Sequence, residues 1–203
     1  MEKFDTLVEK KKNGYDWFVA IVTPNTEKKA KKRLDDLVAD WKKAQVIDET
    51  EKVSAYVPIQ KEVRIQPSTG RRVVVDIVLA PCYLFIYCKD SLRYKIACEA
   101  NFILHFMMDR ATILESGKND FARIPEAQMN EFMRMVGDAD TPVTIDTKRL
   151  RLGSKVRIKT GRLKGLEGNF YEDPSGSTML AFRVNFLGYA KMNCPLDLLE
   201  LVE

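Results

Sequence analysis

Along this chain, stretches where apolar and polar residues alternate trade places with stretches where apolar residues recur every three or four positions. After a charged, amphiphilic lead at 1–15, Trp17 to Val22 (WFVAIV) reads as a strand. Its side chains divide by parity: Trp17, Val19 and Ile21 point one way, and Phe18, Ala20 and Val22 the other. Pro24 and Asn25 end it, and Asn25 or Thr26 caps a helix. That helix carries Ala30, Leu34, Leu37, Val38 and Trp41 on one side, with Lys28, Lys29, Lys32, Arg33 and Asp36 largely around the other. A polar loop at 45–53 leads into VSAYVPIQKEVRI, a second long strand whose middle Pro58 demotes to an edge or bulge. The turn PSTG (67–70) returns it as RRVVVDIVLA, an extended hairpin with Arg64, Arg71 and Arg72 near the tip.

PCYLFIYC (81–88) is apolar on both faces and predicts a central, buried strand in which Tyr83, Phe85 and Tyr87 oppose Leu84 and Ile86. Ser91 caps a short helix through Ala100, and NFILHFMM is another hydrophobic strand. Pro125 suits the first turn of a helix that turns Met129, Phe132, Met133 and Val136 toward a core and ends at Gly137. The order β-α-β-β-β-α-β-α predicts an α+β unit over 16–137, a mostly antiparallel sheet with flanking helices. Residues 138–149, DADTPVTIDTKR, are polar, contain Pro142 and show no periodicity, so they read as a linker.

Residues 150–203 follow a period of two. Val156 and Ile158 alternate with Lys155, Arg157 and Lys159, giving one apolar and one cationic face. Gly161, Gly165 and Gly168 fall within eight residues, and the return strand puts Leu180, Phe182, Val184 and Phe186 on one face. Short two-sided strands with glycine bends predict a small, all-β barrel. The charge is concentrated there too. Residues 148–203 hold ten Lys/Arg against six Asp/Glu, whereas 1–147 hold 23 of each. Segment 148–164 has eight basic residues and no acid, a surface that attracts phosphates or an acidic protein.

Chemistry is scarce. There is one histidine (His105), the four cysteines lack paired spacing, and no phosphate-binding loop, nucleophile elbow or carboxylate cluster is present. An enzyme, a zinc site and a cofactor are therefore not expected. No apolar run reaches the ~18 residues of a membrane span, and the charged start has no secretory core. A cytoplasmic protein with reduced thiols is expected.

WFVAIVTPNTEKKAKKRL, PCYLFIYC and LGSKVRIKTGRLKGLEGNF before LELVE resemble the NusG family of transcription elongation factors: its N-terminal domain over the first 140 residues, its SH3-like KOW domain over 150–203. The resemblance implies that an apolar cavity of the first domain grips the clamp helices of the β′-type subunit of RNA polymerase, and that the barrel binds RNA, a small-subunit ribosomal protein or a termination factor. On that resemblance Trp17 and Tyr83 match the aromatic residues of the cavity, Phe85 shares the face of Tyr83, and Ile103 and Phe106 lie on the strand the family places beside them. Lys28, Lys29, Lys32, Arg64, Arg71 and Arg72 are candidates for the displaced non-template DNA strand. In the barrel Lys155, Arg157, Lys159, Arg162 and Lys164 are candidates for RNA. Phe170 or Tyr171 would stack on a base, although Phe170 equally suits the barrel interior. Ala80 and Cys82 stand where housekeeping members have an aromatic and a glycine, which resembles specialised paralogues of the RfaH, LoaP and UpxY kind acting on selected operons. The competing expectation is a KOW-type RNA- or ribosome-binding protein with no polymerase role.

Overall fold

The computed structural model describes residues 14–114, 116–148 and 150–202, so nearly all of the amphiphilic lead lies outside the described residues. The first half of the chain forms β1 (Tyr15–Val22), α1 (Glu27–Lys43), β2 (Ser54–Tyr56), β3 (Ile59–Ile65), β4 (Arg72–Val78), β5 (Tyr83–Lys89), α2 (Asp90–Glu99) and β6 (Ile103–Phe106). After it come β7 (Met108–Ile113), β8 (Asn119–Phe121), β9 (Arg123–Ile124) and α3 (Glu126–Asp138). An antiparallel sheet runs in the order β2-β5-β1-β6, with β9 also pairing with β1. The doubly apolar segment is thus an inner strand, as its composition suggests, with only Tyr83, Tyr87 and Lys89 keeping part of their surface in solvent. Pro58 separates β2 from β3, and among the described residues β3 pairs only with β4.

The register Trp17↔Tyr87, Val19↔Phe85 and Ile21↔Tyr83 puts one parity class of each strand on one face. Phe18, Ala20, Leu84, Ile86 and Cys88 fall on the other, where they meet Ala30, Leu34, Val38 and Trp41 of α1 and Ile96 of α2. Each fully buried side chain of the Leu34 kind contributes about 1.5–3 kcal/mol. That core accounts for the helical period read in α1. The opposite face packs on α3 through Met129, Phe132 and Val136.

Glu27 opens α1 and is 2% exposed. Its Oε1 accepts the Cys82 backbone N–H at 2.8 Å and the Asn25 N–H at 3.2 Å, tying the helix start to the turn between β4 and β5. Both donors belong to non-glycine residues with positive φ, +64° at Asn25 and +71° at Cys82. The Cys82 conformation costs a side chain about 1–2 kcal/mol, which a glycine would not incur. Glu27→Ala leaves a buried amide without its acceptor, so stability in urea should fall by about 2 kcal/mol. A loss below ~0.5 kcal/mol would mean that the two bonds are replaced by water.

The rest of the chain forms β10 (Val143–Asp146), β11 (Lys155–Ile158), β12 (Glu167–Glu172), β13 (Thr178–Val184), β14 (Gly188–Asn193) and β15 (Leu199–Leu201). These six antiparallel strands follow the order β10-β14-β13-β12-β11-β15. Val156, Ile158, Leu180, Phe182, Val184, Ala190 and Met192 fill the inner face, with Leu163 and Leu166 from the β11–β12 turn. Within the segment read as a linker, residues 143–146 form the edge strand β10. Val143 is buried, and Lys191 reaches Asp146 at 3.1 Å.

A candidate binding face and its cationic surroundings

The face of β1 and β5 that carries Trp17, Tyr83, Phe85 and Tyr87 is aromatic along its length. Tyr15 stacks on Tyr87 at 5.5 Å, and Trp17 tilts against the same ring at 5.3 Å. Phe85 meets Tyr56 and Tyr83 at 6.4 Å and Phe132 of α3 at 6.3 Å, in the tilted and edge-to-face geometries that aromatic pairs favour. Exposure along this row is uneven. Trp17 is 6% exposed and Phe85 0%, so both are core. Ile21, Tyr83 and Tyr87 keep part of their surface in solvent.

Ile103 and Phe106 are not beside Trp17. β6 neighbours β1, but the register shift between Ile21 and Val22 pairs Ile103 with Val22 and Phe106 with Ala20. Both side chains therefore fill the core under α1 and α2. Arg93 completes that region: it is buried, pairs with Asp90 at 2.9 Å and lies 3.4 Å over the Phe121 ring. Burial pushes the Cys88 thiol up to about 12. It therefore stays protonated and inert at neutral pH.

α3 lies between the aromatic face and the second sheet. While Phe132 points at Phe85, Gln128, Glu131, Arg134 and Met135 form another stripe. Gln128 Oε1 accepts the Asn185 N–H at 3.1 Å, and Arg134 donates to the carbonyls of Arg162 and Lys164 at 3.1 and 2.6 Å. Met135 is fully buried. Desolvation raises the Glu131 carboxyl above its ordinary range, and the nearby Glu167 charge adds to the effect. This stripe escapes a reading by hydrophobic period because Met135 is its one apolar member.

The cationic candidates do not form one patch. On α1, Lys29 and Lys32 are exposed, while Lys28 pairs with Asp76 of β4 at 2.6 Å. On the hairpin Arg64 pairs with Glu62 at 2.9 Å, and Arg71 and Arg72 stand exposed at the tip. In the second sheet Lys155 and Arg157 converge on Glu167 of the adjacent strand, at 2.5 Å for Lys155. These two contacts hold the Glu167 carboxyl below its ordinary range, first through Lys155. Lys159, Arg162 and Lys164 remain exposed, with Arg162 3.9 Å from Asp140. Phe170 pairs with Leu180 and lies against Gly153, where a Cβ would come within 3.1 Å of its ring. Tyr171, one residue on, takes the opposite face with the Lys191 ammonium 5.4 Å from its ring.

A family model described as Transcription termination factor nusG matches residues 15–149. Among solved structures the chain is similar to that described as "Domain interaction in Thermotoga maritima NusG", with 16% identity, a TM-score of 0.45 and coverage of 93% of this chain and 98% of that one. It is similar also to the "MjSpt4:Spt5 complex" in conformations A and B. Identity is 12% in both, with TM-scores of 0.27 and 0.26 and coverage of 92% of this chain. No curated protein sequence matches significantly.

Proposed function

The chain belongs to the NusG family of transcription factors, and from that membership we propose that it is a non-enzymatic elongation factor that docks on RNA polymerase through the aromatic face of β1 and β5. The observation that carries this reading is the position of Ile21, Tyr83 and Tyr87. Ile21 and Tyr83 are cross-strand partners at one end of the face, and Tyr87, stacked on Tyr15, lies toward the other; with Tyr15 they keep solvent contact around a buried centre of Trp17, Val19 and Phe85. Half-exposed tyrosines on a fixed sheet suit a partner that brings apolar helical anchors, as the clamp helices of the β′-type subunit would. Trp17 and Phe85 are the buried members of the same row and hold its exposed rings in place. Ile103 and Phe106 serve the reading only by holding β6 against β1.

The second sheet then acts as the recruiting module for RNA, a small-subunit ribosomal protein or a termination factor. Lys159, Arg162 and Lys164 are its best-placed cations, because Lys155 and Arg157 already share Glu167. Lys29, Lys32, Arg71 and Arg72, all exposed, would be the contacts of the first domain to non-template DNA. Ala80 is buried where an aromatic wall would stand, and Cys82 holds a backbone conformation that suits glycine. Both departures support a role on selected operons.

The test is retention of the full chain on immobilised RNA polymerase. Tyr83→Ala combined with Tyr87→Ala should cut retention by at least about tenfold, since anchors of this type carry most of an interface's energy. Unchanged retention by a variant whose thermal midpoint shows it folded would defeat the polymerase reading. The RNA- or ribosome-binding reading would then stand.

A further inference from the structure

The two modules are joined by more than covalent chain. Gln60, on β3 of the exposed hairpin, places its primary amide against the edge of β10: Oε1 accepts the Val143 N–H at 2.9 Å, and Nε2 donates to the Thr141 carbonyl at 3.4 Å. A side-chain amide in this position imitates the peptide group of a neighbouring strand. β10 is held on its other side by β14, by the Lys191–Asp146 pair and by the Thr141 hydroxyl, which donates to the Asn193 carbonyl at 3.0 Å. An open cleft of about 830 Å³ beside Gln60 separates the hairpin base from residues 136–145, so this amide is a bridge across a gap.

We infer that β10 is a clip, that Gln60 is its latch, and that the latch couples the β3–β4 hairpin to the edge of the second sheet. Closed, the chain from α3 to β10 is residues 139–142, four residues spanning at most ~14 Å, and α3 also holds the second sheet through Gln128 and Arg134. Unzipping four residues of β10 lengthens the connection to 139–152, because Gly153 and Ser154 stay bonded to Phe170, and fourteen residues reach ~48 Å. A partner that seizes or bends the hairpin withdraws Gln60, leaves the edge of β10 without its acceptor and favours the long tether. The sensing element is the hairpin, which among the described residues pairs with no other strand and is tied to α1 by the Lys28–Asp76 pair. This concerns the chain alone and stands apart from the polymerase reading.

Amide hydrogen exchange on the full chain tests it. Gln60→Ala should speed exchange at Val143–Asp146 about five- to tenfold, the worth of one lost edge bond, while β1 and β5 stay protected. Gln60→Glu keeps the size and the acceptor but removes the donor to Thr141, so it should give a smaller change of the same sign. Val74→Gly loosens the hairpin away from Gln60. It should speed the same amides in the parent chain and add nothing when Gln60 is already alanine. Exchange at 143–146 within twofold of the parent in Gln60→Ala would overturn the latch. A Val74→Gly effect undiminished in the Gln60→Ala background would overturn the coupling.

Discussion

Phe85→Ala should lower the free energy of unfolding by about 3–5 kcal/mol, a large part of the 5–15 kcal/mol that a domain typically has. Phe85 has no exposed surface and sits where three rings from β2, β5 and α3 converge. Its removal opens a cavity that the sheet cannot close, because β5 is held on both sides by β1 and β2. It also strips Phe132 of one of its two ring contacts, leaving Tyr56, and so loosens α3, the element on which the second sheet rests. Urea unfolding measures the loss, with Tyr83→Ala on the same strand as the comparison. The half-exposed tyrosine should cost less than about 1.5 kcal/mol, since less apolar area leaves water. If Phe85→Ala cost no more than Tyr83→Ala, the aromatic row would be surface along its whole length. The comparison also guards the binding experiment, because loss of polymerase retention in a Phe85 variant would report unfolding before it reported contact.

Gly188→Ala should cost about 3 kcal/mol or more. Gly188 has φ +116°, and a Cβ there would lie 2.4 Å from the Asp146 carbonyl oxygen and 3.1 Å from the Thr147 Cα. All the obstructing atoms are backbone, so β10 must move. The chain either keeps β10 with a strained turn and a clash, or releases the strand and exposes Val143. Fully exposing a valine alone costs about 1.5–3 kcal/mol. Gly161→Ala is the control. Its φ is +83° with nothing within 4 Å of the added carbon, so it should cost only the backbone strain, about 1–2 kcal/mol. Equal losses at the two glycines would show that β10 does not depend on close approach.

The parity of β1 and β5 was legible because both strands are long, regular and two-faced, and register then merely aligns patterns already present. The side of the sheet taken by Ile103 and Phe106 was not. They are three residues apart yet share a face, which requires the irregularity opposite Ile21 and Val22. Such a break leaves no trace in the composition of ILHF. β10 escaped a reading by pattern because VTID is short and lies between Pro142 and a charged run. What specifies it is remote: Gly188, Lys191 and Gln60. β7 and β8 were missed for a related reason, since MDRATI has no alternation and its pairing slips between Asp109 and Ile113. The cationic face of β11 read correctly along its own strand, but its neutralisation by Glu167 depends on a cross-strand pair that sequence order conceals. The departure at Cys82 was visible as a residue type, and its positive φ gives that departure a physical meaning.

The two cores on either side of the first sheet differ in when they can be completed. Every buried residue of the one beneath α1 and α2 lies between Phe18 and Phe106, whereas the other waits for Met129, Phe132 and Val136 of α3. A nascent chain leaving the ribosome can therefore seal its first half early, while the aromatic side stays greasy until α3 has emerged. Domains fold as units from the N-terminus during synthesis, so this interval is when the growing polypeptide is most exposed to misassociation and to chaperone capture.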